Sequence, residues 1–507
     1  MTEKTTAEIA EWLRGICHEG AHLRLDSRDV QPGDVFVAVP GAHADGRTFI
    51  RVAAARGAAG VLLEAKGAAD SPEHHPVPSL EVAGLSSRLG EIATAFYRDP
   101  TAEMLGVGVT GTNGKTTTTH WVADLLSAAG KPCAVIGTVG CRLGGERFAM
   151  PSMTTPDAVS LQGLYADVKK AGAAAFALEA SSIGLEQGRL NGTHFAVAVF
   201  TNLTRDHLDY HKTMERYGDA KALLFAWPGL RAAVINADDP ACAKMAAAAH
   251  KHGVPVWATT MQGRTIAGAA HRLEAENVRS SEAGTRFDAV LDGSERAAIH
   301  LPQVGFFNVS NFLEAAAAAM ALGLSLEEVA AHAERLPSPP GRMQLIRGEG
   351  MPLAVVDYSH TPDALEKALE SLRPVAEVRG GRLWAVFGCG GDRDAGKRPQ
   401  MGAIAQRLAD VPLVTSDNPR TEDPNEIIRQ ILAGAPGSRS EPDRRRAIWS
   451  AVLEADPADV ILVAGKGHED YQEINGVKHH FSDAETVREA FNERRVRTLR
   501  KKEEQHE

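Results

Sequence analysis

Residues 110–117 read Thr-Gly-Thr-Asn-Gly-Lys-Thr-Thr, a combination suited to holding a nucleotide phosphate. Gly111 and Gly114 let backbone N–H groups converge on an anion, Lys115 adds a point charge, and the Thr116 hydroxyl suits a Mg²⁺ ion. The common phosphate loop has a glycine five residues before its second one; here Val109 stands in that place, so the pattern is a variant. The motif alone also fits a tight turn with an exposed lysine, and its context decides. Leu105–Thr110 is short and apolar-rich, as a buried strand is. Thr116–Ala129 has helical spacing, with Val122, Leu125, Leu126 and Ala129 on one face and Gly130 and Pro132 closing it. Strand, glycine turn, lysine, hydroxyl and helix together assign Gly111, Thr112, Asn113, Gly114, Lys115, Thr116 and Thr117 to phosphate binding.

A phosphate loop needs metal ligands. The apolar segment Ala174–Leu178 ends in Glu179, placed as a Walker-B acid is. The next apolar segment leads into Asp206, His207, Asp209 and His211. Magnesium prefers oxygen, which favours Glu179. From spacing alone His207 reads as a hydrogen-bonding or core residue, and Lys221 as a solvated surface lysine of the helical run Glu215–Phe225.

These residues are spread over a chain of 507 residues, which predicts about three domains. The formal net charge of −10 gives no bulk attraction to nucleic acid or an anionic membrane. Met1-Thr-Glu-Lys does not open a secretory signal, and no apolar run is long enough to span a bilayer. Cys17, Cys133, Cys141, Cys242 and Cys389 lack C-x-x-C spacing and suit a reducing cytoplasm. We expect a cytoplasmic monomer with no nucleic-acid partner and no membrane insertion.

The predicted fold class is α/β in three domains. Residues 1–100 form a small α/β domain with strand candidates Asp34–Val39 and Gly60–Glu64 and a helix over Phe49–Arg56. Residues 101–340 form a phosphate-loop domain with helices on both faces of a mostly parallel sheet. Its strand candidates are Leu105–Thr110, Cys133–Gly137, Ala174–Glu179, Ala196–Thr201 and Ala232–Asn236, with extra antiparallel strands between Val256 and His300 and a helix over Asn311–Leu322. Ser338-Pro-Pro-Gly341 breaks the chain. Residues 341–507 form a Rossmann-like α/β domain with strands Leu353–Tyr358, Leu383–Phe387, Val411–Ser416 and Val460–Ala464, each delivering polar or glycine residues at its carboxyl end. Ligands bind beyond such ends, which predicts a second binding site. The charged tail from Arg494 is expected to fray.

Five segments resemble the Mur ligases of bacterial cell-wall synthesis. They are Gly111-Thr-Asn-Gly-Lys-Thr-Thr117, Glu179-Ala-Ser-Ser182, Thr201-Asn-Leu-Thr-Arg-Asp-His207, Asp357-Tyr-Ser-His360 and Gly465-Lys-Gly-His-Glu469. Asp26-Ser-Arg28 with Gly33-Asp-Val-Phe-Val-Ala38 resembles the MurE branch, which adds the third amino acid to UDP-N-acetylmuramoyl-L-alanyl-D-glutamate. The resemblance spans all three blocks in order. It implies ATP on the phosphate loop with Asn308, Asn311, Arg342 and Asp357, and two Mg²⁺ sites served by Thr116, Glu179, His207 and Lys221. It further implies that Lys221 is carbamylated by CO₂, so that Lys115, Lys221, Glu179 and His207 form the catalytic set. Ser27 and the loop Ala42-His43-Ala44 would hold the nucleotide sugar, and Thr154, Thr155, Ser181, Gln187 and Arg189 the muramoyl dipeptide. Met153 stands where relatives often carry asparagine, and Ile183 where they often carry histidine.

Within that branch, Asp417-Asn-Pro-Arg420 marks enzymes that use meso-2,6-diaminopimelate. The far carboxylate of diaminopimelate can be gripped by a guanidinium, whereas lysine has none to offer. Arg393, Asp417, Asn418, Pro419, Arg420, Gly465 and Glu469 are the implied contacts, with Glu469 facing the remote amino group. The competing readings are a related ligase with another acceptor, lysine-adding or folylpolyglutamate-forming, and a protein that uses ATP only to change shape.

Overall fold

Three sheets follow one another along the chain. The structure, a computed structural model, describes residues 4–41, 44–65, 75–151, 153–281 and 283–504. The first sheet is parallel, in the order β1 (Leu23–Arg24), β2 (Val35–Ala38), β3 (Gly60–Glu64) and β4 (Ser79–Val82). Helices Thr6–Ile16 and Leu85–Phe96 close one face, packing Ile9, Leu13 and Ile92 on Val35, Val37 and Leu62.

The second sheet contains β5 (Leu105–Thr110), β6 (Cys133–Gly137), β7 (Gly140–Leu143), β8 (Glu146–Phe148), β9 (Ala175–Glu179), β10 (Val197–Phe200), β11 (Ala232–Asn236), β12 (Val256–Thr260), β13 (His271–Ser281), β14 (Gly284–Leu291) and β15 (Glu295–Leu301). Its order is β15-β14-β13-β12-β11-β10-β5-β9-β6-β7-β8. From β13 to β6 neighbouring strands are parallel; β14–β15 and β7–β8 extend the two edges antiparallel. The extra antiparallel strands expected after Val256 are present, whereas the edge hairpin β7–β8, short and half-exposed, leaves little trace in the apolar pattern. Helices Lys115–Ala128 and Phe306–Ala321 cover one face, and Ala158–Lys170 and Cys242–Lys251 the other. Burial on both faces is why the central strands are continuously apolar rather than alternating.

Parallel packing places β5 between β9 and β10. Their carboxyl ends, carrying the phosphate loop, Glu179 and Thr201, therefore share one edge, where ligands bind in such sheets.

The third sheet has β16 (Gln344–Ile346), β17 (Leu353–Asp357), β18 (Leu383–Phe387), β19 (Val411–Val414), β20 (Arg439–Ser440) and β21 (Val460–Ala464), in the order β16-β17-β21-β18-β19-β20, parallel apart from β16. A hairpin, β22 (Tyr471–Ile474) and β23 (Val477–His480), stands beyond β21. At the chain break, Gly341 has φ 65°, and a Cβ there would lie 2.0 Å from the His468 amide nitrogen; only glycine lets these two segments touch. The tail corrects the sequence reading. Instead of fraying from Arg494, a helix runs over Asp483–Glu504. Arg494 Nη1 donates to the carbonyls of Val452 (2.6 Å) and Ala455 (2.5 Å), the free end of helix Arg444–Glu454.

Candidate active site

The phosphate loop is shaped by two close contacts. Gly111 has φ 152° and Gly114 φ 88°. A Cβ on Gly111 would sit 1.8 Å from Thr201 Oγ1, and one on Gly114 2.4 Å from Asn311 Oδ1. The Thr201 hydroxyl donates to the Asn113 carbonyl at 2.5 Å, and Asn202 Oδ1 accepts from the Asn113 amide at 2.9 Å. Lys115 opens the helix and folds back, donating from Nζ to the Gly111 and Thr112 carbonyls, both at 2.8 Å. The variant spacing has a plain cause: Val109 is still a buried strand residue, paired with Val199 and Glu179, and the turn begins only at Gly111.

The loop forms one wall of a cavity of about 550 Å³ between the second and third sheets. The whole of Gly111–Thr117 faces it, with Glu179, His207, Lys221, Asn308 and Asn311 from the middle block and Arg342, Asp357 and Arg393 from the third. Arg342 crosses between the blocks and donates from Nη2 to Thr116 Oγ1 at 2.9 Å. Asn113 Nδ2 donates to Asp363 Oδ2, also at 2.9 Å. Asp357 is spent on the backbone, accepting from the amides of Met343 (2.7 Å) and Ser359 (3.0 Å), so it shapes the turn beneath Arg342.

Glu179 is 1% exposed and held by Thr138, whose amide and hydroxyl donate to its two carboxylate oxygens at 2.9 and 3.0 Å. Among the described residues no three acidic, histidine or cysteine side chains cluster closely enough to hold a metal by themselves. The donors that do share the cavity, the Thr116 hydroxyl, the Glu179 carboxylate and His207, fit Mg²⁺ completed by nucleotide phosphate oxygens and water.

Two readings made from spacing alone are corrected. Lys221 is not a surface lysine: it is 1% exposed, with its ammonium 4.2 Å from the Tyr217 ring centroid. It turns inward because helix Met214–Ala222 buries Tyr217, Ala220 and Lys221 on its inner face, packed against helices Ser182–Glu186 and Cys242–Lys251. Among the described residues no carboxylate lies within ion-pairing distance, and burial, with Lys115 nearby and only partly opposed by Asp206, holds its amine well below the usual lysine value. His207 is not a core residue: its side chain is 45% exposed on the cavity wall, in the left-handed region at φ 52°. Partial withdrawal from water, against Asp206 and with Lys115 and Lys221 nearby, lowers its pKa, keeping the ring neutral at pH 7, as metal ligation requires.

Thr154, Thr155, Ser181 and Arg189 also line the cavity, beside the Met153 and Ile183 departures. The Thr155 hydroxyl donates to the Glu179 carbonyl at 2.7 Å, Ser181 caps helix Ser182–Glu186, and Arg189 donates to the Thr155 carbonyl at 2.9 Å. Gln187 does not line the cavity; it orients Arg189, whose Nε and Nη2 reach its Oε1 at 3.0 and 2.7 Å. Ser27 is buried in the first block and Ala44 closes a turn with Gly41; neither lines the cavity. Ala42 and His43 lie outside the described residues.

Beyond the carboxyl ends of β18, β19 and β21 a second polar cluster forms, outside the cavity lining except for Arg393. Arg420, at φ 51°, donates from Nη1 to the Gly391 carbonyl at 2.6 Å and has Nε 3.4 Å from Glu473. A Cβ on Gly390 would lie 2.9 Å from Arg420 and 3.9 Å from Arg393, so both guanidinium-bearing chains flank one glycine turn. Asp417, Asn418 and Gly465 meet beneath them, Asp417 being 3.4 Å from a Cβ built on Gly465. Pro419 shapes the turn through its carbonyl, which accepts from the Glu422 amide. Glu469 Oε2 accepts from Asn418 Nδ2 at 2.9 Å and from Lys466 Nζ at 3.0 Å.

The Mur ligase middle domain matches residues 109–319, the Mur ligase glutamate ligase domain 341–467 and the Mur ligase catalytic domain 21–97. Over 501 residues the chain is 50% identical to a UDP-N-acetylmuramoyl-L-alanyl-D-glutamate--2,6-diaminopimelate ligase of Ralstonia nicotianae, covering 97% of this chain and 96% of that one. It is 46% identical over 503 residues to the ligase of the same name from an Acidovorax species, covering 97% and 98%. A solved structure of a ligase of that name is 39% identical and superposes with a TM-score of 0.64 over 94% of this chain and 95% of the other. The chain belongs to the Mur ligase family.

Some residues that build this Mur ligase site escaped the sequence reading. Lys466 is fully buried and joins Asn418, Glu469 and Asp417; a lysine between two glycines right after an apolar strand was the available signal. Thr138 and Asp363 act through contacts between distant segments, for which no local pattern exists. Lys115→Ala should leave the fold intact, because its ammonium bonds only its own loop, and should abolish nucleotide-dependent turnover. Normal turnover in that variant would remove the loop from the reaction.

Proposed function

We propose that this Mur ligase joins meso-2,6-diaminopimelate to the D-glutamyl γ-carboxylate of UDP-N-acetylmuramoyl-L-alanyl-D-glutamate, using ATP and passing through an acyl phosphate, in peptidoglycan precursor synthesis. Identity to ligases of that name over nearly the full chain supports the reading. The observation that carries it in this chain is the single cavity in which the phosphate loop, Glu179 and Lys221 face Arg342 and Arg393 of the third block.

In this reading residues 1–100 hold the uridine end of the substrate through Ser27 and the 42–44 loop. Residues 101–340 hold ATP and the dipeptide, and residues 341–507 bring the amino acid. Thr154, Thr155, Ser181 and Arg189 place the γ-carboxylate beside the phosphate loop. That carboxylate attacks the γ-phosphate, an approach of two anions, and Lys115 and Arg342 offset the charge that builds. Thr116, Glu179 and His207 would hold Mg²⁺, which would supply further charge neutralisation. The neutral α-amine of diaminopimelate then attacks the acyl carbon, phosphate leaves and an amide forms. Contacts from Arg342 and Asp363 onto the loop keep the third block closed over the site and keep water off the acyl phosphate.

Lys221 takes CO₂ on its neutral amine, giving a carbamate and a released proton. The product is an anion, which beside His207 would add a further ligand for Mg²⁺. Burial without a carboxylate partner supports this, since the modification needs an unprotonated nitrogen. No helix of the described residues is long and apolar enough to cross a membrane, and the reaction is assigned to the cytoplasm, where ATP is.

Arg420 and Arg393 grip the far carboxylate of diaminopimelate. Glu469, with one oxygen committed to Lys466 and Asn418, offers the other to the remote amino group. Lys221→Ala should be nearly inactive and partly restored by short carboxylic acids added to the assay; full activity without them would show that no carbamate is needed. Arg420→Ala should raise the KM for diaminopimelate at least about tenfold, the value of a lost charge-assisted contact of roughly 1.5–3 kcal/mol, with the KM for ATP unchanged. An unaltered diaminopimelate KM would take Arg420 out of the substrate site.

A further inference from the structure

Glu314 is a carboxyl with no part in the chemistry above. It lies in the helix Phe306–Ala321, among alanines, and is 1% exposed. Its partners are two hydroxyls: Ser310 donates to Oε1 at 3.0 Å, and Thr118 lies 3.4 Å from Oε2. A charged residue in such a place is costly unless it serves a network.

The network can be followed from the phosphate loop and back to it. The Asn113 carbonyl accepts from the Thr201 hydroxyl at 2.5 Å. The Thr201 carbonyl accepts from Asn236 Nδ2 at 2.7 Å, and the same amide reaches Ser310 Oγ at 3.3 Å. Ser310 bonds Glu314, Glu314 meets Thr118, and the Thr118 amide donates to the Gly114 carbonyl at 2.9 Å. The circuit thus runs from Asn113 through the ends of β10 and β11, across helix Phe306–Ala321, and returns to the loop at Gly114. That helix also carries Asn311, whose Oδ1 fills the space beside Gly114.

We propose that Glu314 is a positioning residue for nucleotide binding: its carboxyl closes this ring of hydrogen bonds and thereby fixes the phosphate loop and Asn311 relative to each other. Removing it leaves the loop free to move against the helix that packs on Gly114. Burial, reinforced by Asp239 and Asp238 and only partly opposed by the two hydroxyls, raises its pKa well above the usual carboxylate value. This favours the neutral form, to which hydroxyls can donate and from which they can accept. A glutamine can consequently take its place, whereas a leucine of similar size keeps the packing and breaks the ring. The leucine variant should fold, because Ser310 and Thr118 can turn to carbonyls of their own helices.

The inference rests on the phosphate-loop reading, and its test is chosen to separate the two. ATP affinity is measured by calorimetry on the full chain without the other substrates, beside the melting temperature and the KM values. Glu314→Gln should bind ATP as the unaltered protein does. Glu314→Leu should melt at about the same temperature yet bind ATP about fivefold more weakly, the effect of roughly one neutral hydrogen bond, with the KM for diaminopimelate unmoved. Thr118→Val breaks the ring at its other side. It should weaken ATP to a similar degree and add nothing to Glu314→Leu, and it answers the question alone if the leucine variant does not fold. Unchanged ATP affinity in these ring-breaking variants, or a glutamine variant as impaired as the leucine one, overturns the inference. Lys115→Ala, run in parallel, loses ATP if the loop binds the phosphates, so failure of that reading shows there instead.

Discussion

A phosphate loop binds with backbone N–H groups, and these work only while the backbone keeps a shape that side chains disfavour. Everything else in the structure depends on holding that shape. Gly111 and Gly114 are packed so tightly against Thr201 and Asn311 that no Cβ fits. The loop is accordingly held from the end of β10 on one side and from helix Phe306–Ala321 on the other. Parallel strand order then brings Glu179 to the same edge without any local sequence relation to the loop.

The second requirement is control of charge away from water. Lys115 and Lys221 share the cavity with the buried Glu179 and with Asp206, and among the described residues Lys221 makes no ion pair. Two anions must approach each other there. The contacts from the third block, Arg342 to Thr116 and Asp363 to Asn113, join that block directly to the phosphate loop. The position of the third block and the geometry of the loop are therefore linked by direct hydrogen bonds.

Much of this was legible in the sequence because it is local. Strands β3, β5, β6, β11, β18 and β21 have the bounds that their apolar runs predict, since buried parallel strands are continuously apolar. The phosphate loop was legible for the same reason: its chemistry lies within eight consecutive residues. What local patterns missed depends on distant partners. Lys221 looks like any helix lysine until the helices that pack against its own are known. His207 gives no sign of its left-handed backbone, and Thr138, Asp363 and Lys466 acquire their roles only through segments far away in the chain. The C-terminal helix persists beyond Arg494 because that side chain reaches carbonyls of another helix, which charge density alone could not reveal.

Choice of amino acid is separated from activation. The loop, Glu179 and His207 line the cavity, whereas Asp417, Asn418, Arg420 and Glu469 form their own cluster at the carboxyl ends of the third sheet. The most direct measurement is phosphate release and tripeptide formation by the purified protein across a panel of amino acids, with and without the UDP-linked dipeptide. The account predicts release and product with meso-2,6-diaminopimelate only when the dipeptide is present, and little of either with lysine. Equal use of lysine, or phosphate release without dipeptide and amino acid, would contradict it.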